Sequence, residues 1–302
     1  VPMRSRTDER QYTTHKVVAL PGLLLVVSLL SACSMGQMVV RSSAAILDSG
    51  IDAMNRETDL QLAREAMPAN IKLIEGMLIE DPGNKELRLY AAQGFYGYSY
   101  GFIENEDRTR AAQLYRRCYT HALTVLAQSG MPLDPEHTSA DELATAIGRL
   151  DRGAVPALFW TASCLGKWID LNRDNVRSIA GFSNAAALMQ GVIDLDETYY
   201  HGGAHMFFGV FYGGRAPMLG GDFARAEKHF RRAAEINEQK LLLGDLLKAE
   251  YMHRQKLDRT AFHDTLVNIQ SAPDDLYPEM ALVNAIAKQK AAALLTHEGD
   301  WF

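Results

Sequence analysis

The chain has 302 residues, of which 47% are hydrophobic and 23% charged, and its formal net charge is −6. This composition is that of an ordinary globular protein, and the length leaves room for one or two domains with a substantial core. The acidic balance, without a basic patch, argues against nucleic acid as a partner.

The first 33 residues differ from the rest of the chain. An apolar run over 17–30 follows a basic leader and ends just before Ser31-Ala32-Cys33. The run is short for a bilayer span but suits the core of a signal peptide. Small residues before a cysteine resemble the lipobox of bacterial lipoproteins. We therefore expect residues 1–32 to be a lipoprotein signal peptide and Cys33 to carry lipid.

Cleavage before Cys33 has consequences for charge and location. It removes four basic and two acidic residues and leaves 27 Lys and Arg against 35 Asp and Glu, a net charge of −8. We expect a lipidated tether over 33–39 and one domain over 40–302. The absence of Asp at Ser34 favours the outer membrane in the bacterial sorting pattern. The alternative is an ordinary secretory signal with a chance cysteine.

Beyond the tether the sequence is typical of an all-α protein. Runs rich in Ala, Leu, Glu, Lys and Arg alternate with short breaks such as 81–84 and 272–275, and strand alternation is absent. The stretch 129–140 is the loosest connector. We predict about ten to twelve helices of ordinary length.

A repeat is visible within these helices. Small and aromatic residues take the spacing of the second helix of a tetratricopeptide (TPR) repeat at Ala226, Phe230 and Ala233. The same pattern occurs 115 residues earlier, at Ala111, Tyr115 and Cys118. We therefore predict a superhelical array of antiparallel helix pairs with degenerate TPR-like repeats. The two related halves would cover about 60–128 and 175–240.

The segment PMLGGD, residues 217–222, interrupts the second half. A glycine-rich stretch that opens a helix can cradle a phosphate. A phosphate loop, however, follows a strand and supplies Lys and Ser or Thr at fixed spacing, and this segment does neither. We predict an enlarged turn between two helices, with Asp222 as the N-cap of the second.

The predicted helix over 90–102, YAAQGFYGYSYGF, has glycines on one face and aromatic residues on the others. Each interior glycine costs about 1 kcal/mol, which close approach of another helix or of a ligand would offset. The matching helix of the second half is also aromatic. One interpretation is packing of two central helices, and the other is an aromatic groove for an apolar or amphiphilic ligand. The candidate binding residues are Tyr96, Tyr98, Tyr100, Phe102, Phe208, Phe211 and Tyr212.

Signals for metal binding and catalysis are weak. His201 and His205 have a spacing that can bind zinc on a helix, but no Glu lies between them and no third ligand is evident. The carboxylates of 194–197 have no predicted pocket, and no nucleophile motif occurs. Trp160 and Trp168 share a helix face that suits core packing. We predict no metal, no cofactor and no enzymatic activity.

Cys118 and Cys164 leave two alternatives open. In an oxidising periplasm they can form a disulfide. Cysteines on helices are more often small apolar core residues, which is the interpretation we favour. The sequence does not supply the geometry that a disulfide requires.

Four stretches together, at 79–104, 154–174, 199–237 and 278–295, resemble one family. It is the T component (TatT) of TPR-protein-associated TRAP transporters, and the resemblance covers about 40–302. One departure is Ala216-Pro217, where a double proline is expected.

The resemblance implies a non-enzymatic periplasmic lipoprotein that assembles as a homotrimer around a central pore. It would bind a TRAP-type substrate-binding protein, the P component, near a lateral cavity for a small hydrophobic or carboxylated ligand. The resemblance adds Trp160, Arg215 and Asn284 as candidate ligand or partner contacts. The rival hypothesis is an outer-membrane TPR lipoprotein that acts as a scaffold for envelope or peptidoglycan assembly.

Overall fold

The computed structural model describes residues 35–172 and 176–302, so the predicted signal peptide and the predicted lipidation site Cys33 lie outside the described residues. Helices account for nearly all regular structure in those ranges, and no strand is found there. The predicted all-α fold class is therefore confirmed. None of the helices in this part of the chain is both long and apolar enough to cross a membrane.

Fourteen α-helices are present in the described ranges, more than the sequence predicted. They are α1 Met35–Ser42, α2 Ala44–Asn55, α3 Leu60–Glu80, α4 Lys85–Tyr98, α5 Arg108–Gln128, α6 Ala140–Ile147, α7 Val155–Leu171, α8 Val176–Asp196, α9 Tyr199–Gly213, α10 Phe223–Ile236, α11 Leu243–Leu247, α12 Arg259–Ser271, α13 Ala281–Thr296 and α14 Glu298–Trp301. Two π-helical segments follow α4 and α11, at Ser99–Ile103 and Lys248–His253.

Consecutive helices pack on one another through most of the chain, including α4 on α5, α7 on α8 and α9 on α10. The main core runs from α3 to α9, and α13 adds Leu282 and Ile286 to it. A second core lies at the C-terminal end, around Phe262 and Leu266 of α12. The relation of the two halves as TPR-like repeats stays a prediction.

Short polar side chains set the starts of the helices that pack centrally. Asn84 accepts a hydrogen bond from the backbone N of Leu87 at 3.1 Å, and Asp107 accepts one from that of Arg110 at 2.9 Å. Each cap of this kind stabilises a helix by about 1 kcal/mol.

The predicted turn at 217–222 is confirmed. A 3₁₀ turn at Pro217–Leu219 leads to Gly220, whose φ of 83° is left-handed. A Cβ on Gly221 would lie 1.9 Å from the backbone oxygen of Arg215, so only glycine fits there. Asp222 caps α10 by accepting from the backbone N of Arg225 at 2.9 Å.

The chain becomes helical earlier than expected. Helix α1 begins at Met35, inside the stretch predicted as a tether. The reason is packing, because Val40 is buried against Ile74, Leu78 and Leu87.

The glycine face of α4 and the following π-segment serves helix packing. A Cβ on Gly94 would lie 2.8 Å from Ile71 of α3, and one on Gly101 would lie 2.8 Å from Ile286 of α13. Gly97 is less constrained, since its Cβ would lie 3.5 Å from Met67. Two neighbouring helices therefore approach closely on this face, which leaves the aromatic faces for other contacts.

Cys118 of α5 and Cys164 of α7 form a disulfide, with their Cα atoms 5.8 Å apart. Both are fully buried. The interpretation favoured from sequence was incomplete, since these cysteines are core residues and also a covalent link between two central helices.

Candidate functional site

The two π-helical segments place polar residues in the interior. Tyr100 belongs to the first segment, and Glu250 and Tyr251 belong to the second. π-Helical turns are rare and are frequently found at functional sites. We use the name polar chamber for the group that these residues form with three others: Tyr100, Glu104, Lys167, Glu250, Tyr251 and Lys290.

An ion pair lies at the centre of the polar chamber. Lys167 Nζ lies 2.5 Å from Glu104 Oε1, and Tyr115 donates its hydroxyl to Glu104 Oε2 at 2.6 Å. Asp170 lies 3.9 Å from the same ammonium. The side chains of Lys167 and Glu104 keep only 14% and 12% exposure. Two charges at this depth require each other, because a single one would face a large desolvation cost.

Lys290 is the second cation of the chamber and is only 9% exposed. Its Nζ lies 4.4 Å from the centre of the Tyr100 ring. Within the described ranges, no hydrogen bond or ion pair within 4.0 Å engages this ammonium. The hydroxyl of Tyr100 is also buried without a hydrogen-bond partner there. The Tyr100 hydroxyl is therefore an unsatisfied buried donor, which is uncommon in a folded interior, while the charges of Glu104 and Glu250 oppose that of the Lys290 ammonium.

The pKa values of the two glutamates in the chamber shift in opposite directions. Burial opposes ionisation of Glu104, but the charge and hydrogen bond of Lys167 outweigh it and lower its pKa. Burial raises the pKa of Glu250, with only partial compensation from Lys167 and Lys290. Burial also lowers the pKa of Lys290. The first carboxylate is thus held ionised in a pair, while the second is biased towards the neutral acid.

Helices α8 and α9 supply an aromatic wall, defined as Phe182, Phe207, Phe208, Phe211 and Tyr212. Phe211 stacks on Phe182 with ring centres 5.3 Å apart, and Phe208 stacks on Tyr212 at 5.9 Å. Arg215 lies against this wall. Its guanidinium is 3.9 Å from the Phe211 ring centre, and its Nε donates to the Phe211 carbonyl at 2.9 Å.

The aromatic wall adjoins the polar chamber along α7. A Cβ on Gly166, next to Lys167, would lie 3.2 Å from the Phe207 ring. A Cβ on Gly214 would lie 3.1 Å from the Tyr251 ring. The site therefore places aromatic rings close to charged groups, the two kinds of contact that an amphiphilic small molecule would make.

Tyr96 and Trp160 extend the aromatic contacts towards the start of α9. Tyr96 meets Trp160 edge-on at 5.6 Å, and Trp160 meets Tyr200 at 4.9 Å. Tyr200, His201 and Gly202 are left-handed, with φ of 49°, 58° and 77°. Two consecutive non-glycine residues in this region cost about 1–2 kcal/mol each, so the surrounding packing must hold them.

Three predicted site residues lie apart from the chamber and the wall. Tyr98 and Phe102 are buried in the main core, where their rings meet at 6.1 Å. Asn284 is buried and bonds only to backbone, accepting from Leu242 N and donating to the Lys240 carbonyl, both at 2.9 Å. Its amide holds the start of α11 on α13.

The two histidines considered for zinc have separate partners. His201 Nδ1 lies 3.1 Å from the Tyr277 hydroxyl. His205 Nε2 lies 3.0 Å from Glu197 Oε2, and its Nδ1 lies 2.9 Å from His229 Nδ1. The two imidazole rings therefore contact different residues and do not converge on one position.

A surface cleft of about 360 Å³ lies elsewhere, and its lining includes Lys85, Tyr90, Gln93 and Tyr199. Lys85 donates to the Gln128 carbonyl, and Tyr90 donates to Asp48. Because these polar groups are already satisfied, we place the candidate site at the polar chamber rather than at this cleft.

Sequence reasoning missed the charged members of the chamber, Glu104, Lys167, Glu250 and Lys290. They lie on separate elements of the chain, and each looks like an ordinary surface charge in its local sequence. One signal was available: Lys167 is the only charged residue of the stretch 157–169, and α7 is buried on nearly every side. A lone charge on such a helix must be paired or functional.

Together, the fold and this site define an all-helical module with an interior aromatic and charged site. Comparison with known proteins makes the class specific. The family model described as TRAP transporter T-component matches residues 56–302. An uncharacterised protein from Treponema pallidum (strain Nichols) is 21% identical over 267 residues, covering 82% of this chain and 81% of the other. The chain therefore belongs to the TRAP transporter T-component family, which confirms the resemblance noted in the sequence.

Membership of this family defines the general role. The protein is a periplasmic accessory subunit of a TRAP transporter and associates with components of that system. The family is not known for catalysis.

Proposed function

We propose that the protein is a lipid-anchored accessory subunit that binds the TRAP substrate-binding protein and handles a small hydrophobic or carboxylated ligand. The proposal that the protein handles a ligand is supported by the polar chamber, which lies beside the aromatic wall. The Tyr100 hydroxyl is a buried donor without a partner in the described ranges, which is energetically costly, and a bound ligand could accept a hydrogen bond from it.

Ligand contact is assigned to the predicted residues that lie in or beside this site: Tyr96, Tyr100, Trp160, Phe208, Phe211, Tyr212 and Arg215. A packing role is assigned to Tyr98, Phe102 and Asn284. The side chains of Tyr98 and Phe102 pack in the core, and that of Asn284 bonds to backbone groups. We therefore expect them to stabilise the site without contacting the ligand.

Lipid attachment at Cys33 is proposed from the residues that precede it, and helix α1 begins two residues after this cysteine. On α1, Met35, Met38 and Val39 are 81%, 66% and 59% exposed. An exposed apolar helix directly after the anchor suits a bilayer surface. We propose that the protein sits on the periplasmic face of the outer membrane through this end.

The partner and the assembly are proposed on the basis of family membership. We propose that the substrate-binding protein docks near the candidate site, where a ligand can pass between the two proteins. We also propose a homotrimer with a central pore. Neither proposal requires nucleic acid, a metal or a cofactor.

Affinity capture tests this function. The tagged full chain is purified from detergent-solubilised envelopes, and the co-purifying proteins are identified by mass spectrometry, with an unrelated tagged lipoprotein as control. Enrichment of a TRAP-type substrate-binding protein over the control is expected. Enrichment of peptidoglycan enzymes or envelope-assembly factors, without a binding protein, would support the rival scaffold function instead.

A further inference from the structure

We propose that helices α1 and α2 lie along the surface of the bilayer, so that one fixed side of the domain faces the membrane. This inference rests on the proposed lipid anchor at Cys33 and adds an orientation to it. It starts from large apolar residues that the fold leaves uncovered. Met35, Met38 and Val39 of α1 are exposed, and Ile46 of α2 is 76% exposed.

These residues belong to one strip that continues from α1 into α2. At about 100° per residue, positions three, four and seven apart share one side of a helix. Helical hydrogen bonding continues across the junction, from Ser43 N to Val39 O at 3.1 Å and from Leu47 N to Ser43 O at 3.0 Å. We use the name exposed strip for the exposed, uncharged residues on this side: Met35, Met38, Val39, Ser42, Ile46, Ser49 and Ala53.

The other side of the two helices is fixed to the domain. Val40 is buried in the core that α3 and α4 form at this end. Arg41 Nε lies 3.0 Å from Oδ2 of Asp81, whose side chain is only 5% exposed. On α2, Asp48 accepts a hydrogen bond from the Tyr90 hydroxyl. Because both helices are held in this way, the direction of the exposed strip sets the direction of the whole domain.

The length of chain before α1 identifies the bilayer as the occupant of the strip. Only Ser34 separates Cys33 from Met35, and two fully extended residues span about 7 Å. Acyl chains on Cys33 would therefore hold the first residue of α1 at the lipid headgroups. The predicted mature chain is acidic, so the contact depends on burial of apolar side chains rather than on attraction to anionic lipid.

Quenching of tryptophan fluorescence by brominated lipid tests this orientation. The acylated full chain is purified from membranes and reconstituted into vesicles of phosphatidylcholine, with or without bromine on the acyl chains. The three native tryptophans set the baseline. Brominated lipid should reduce the fluorescence added by Met38→Trp and Ile46→Trp about twofold, because an interfacial helix buries its apolar face at the acyl boundary. Asp52→Trp is the matched control, since Asp52 is an exposed residue of α2 outside the strip, and its added fluorescence should be unchanged.

Flotation of the same vesicles reports the anchor separately from the orientation. Protein that floats but shows equal quenching at positions 46 and 52 would overturn the orientation and leave the anchor intact. Protein that does not float would overturn both. Without lipid, Met38→Trp in the Cys33→Ser protein should emit as a solvent-exposed indole. A blue-shifted emission there would show that another copy of the chain covers the strip, which also overturns the inference.

Discussion

Lys167 and Glu104 form an ion pair in the interior, with Nζ and Oε1 2.5 Å apart, and it joins α7 to the end of the first π-helical segment. Neither partner is satisfied by solvent, since both side chains are nearly buried. The pair therefore fixes the geometry of the polar chamber as well as adding to its charge.

Replacing Glu104 with Gln should destabilise the protein by about 3 kcal/mol, because it leaves a buried ammonium without its main counter-charge. Urea unfolding followed by circular dichroism measures this loss. The matched control is Glu106→Gln, which breaks an exposed pair with Arg64 and should change stability by less than about 1 kcal/mol. Equal effects of the two substitutions would contradict the structural role of the buried pair.

The disulfide should add to the free energy of unfolding beyond what the packing of two buried cysteines provides. Replacing both Cys118 and Cys164 with Ala should lower the free energy of unfolding by about 2–4 kcal/mol, since the bond closes a loop with a sequence separation of 46 residues. Reductant should destabilise the wild type and leave the double variant unchanged. A wild type insensitive to reductant under unfolding conditions would show that the bond does not form.

Close helix packing at Gly209 predicts a steric penalty. A Cβ there would lie 2.6 Å from the Phe230 ring, so Gly209→Ala should cost about 1–3 kcal/mol. Gly76→Ala is the control, because nothing lies within 4 Å of its Cβ position in α3. That substitution should stabilise the helix by up to about 1 kcal/mol. The prediction fails if both variants shift the unfolding midpoint in the same direction.

Stability should fall as the pH is lowered below neutrality. Burial and the nearby charges of His205 and Arg225 lower the pKa of His229 to about 4. The unfolded chain, with a histidine pKa near 6.5, therefore binds the proton more readily across this window. The native state loses stability as the pH falls from about 6.5 towards 4, and this residue contributes no such loss above that range.

Urea midpoints at several pH values check this dependence. His229→Gln keeps a polar partner for His205 but does not titrate, so its midpoint should change less over the same range. His137→Gln, at an exposed histidine, should behave like the wild type. A variant curve with the wild-type slope would exclude His229 as a source of the acid sensitivity.

The lipoprotein hypothesis predicts that removal of Cys33 changes the cellular fraction in which the protein is found. Replacing Cys33 with Ser should move the protein from the membrane pellet to the soluble fraction after cell fractionation, because the acyl chains supply the stable anchor. Cys118→Ala/Cys164→Ala, which leaves Cys33 in place, should remain in the pellet. Retention of the Cys33→Ser protein in membranes would refute the lipoprotein hypothesis.

Local chemistry made much of the fold predictable. Asp222 and the PMLGGD turn were predicted correctly because caps and glycine turns depend on a few neighbouring residues. The all-α class followed from composition and from the absence of strand alternation. The early helix at Met35 was missed because it depends on the burial of Val40 against distant residues.

The candidate site was only half predictable. Its aromatic members stand out in sequence as unusual clusters on helices. Its charged members, from Glu104 to Lys290, are brought together only by the packing of α7, α13 and the two π-helical segments, which no local pattern encodes. The disulfide is similar, since a separation of 46 residues says nothing about the distance between two helices.

The most direct test of the central claim is binding between the purified protein and a purified TRAP-type substrate-binding protein from the same organism. Analytical ultracentrifugation of the mixture at micromolar concentrations should reveal a complex that sediments faster than either protein alone. Two species that sediment independently at every concentration would contradict the assignment of this chain as a partner of the substrate-binding protein.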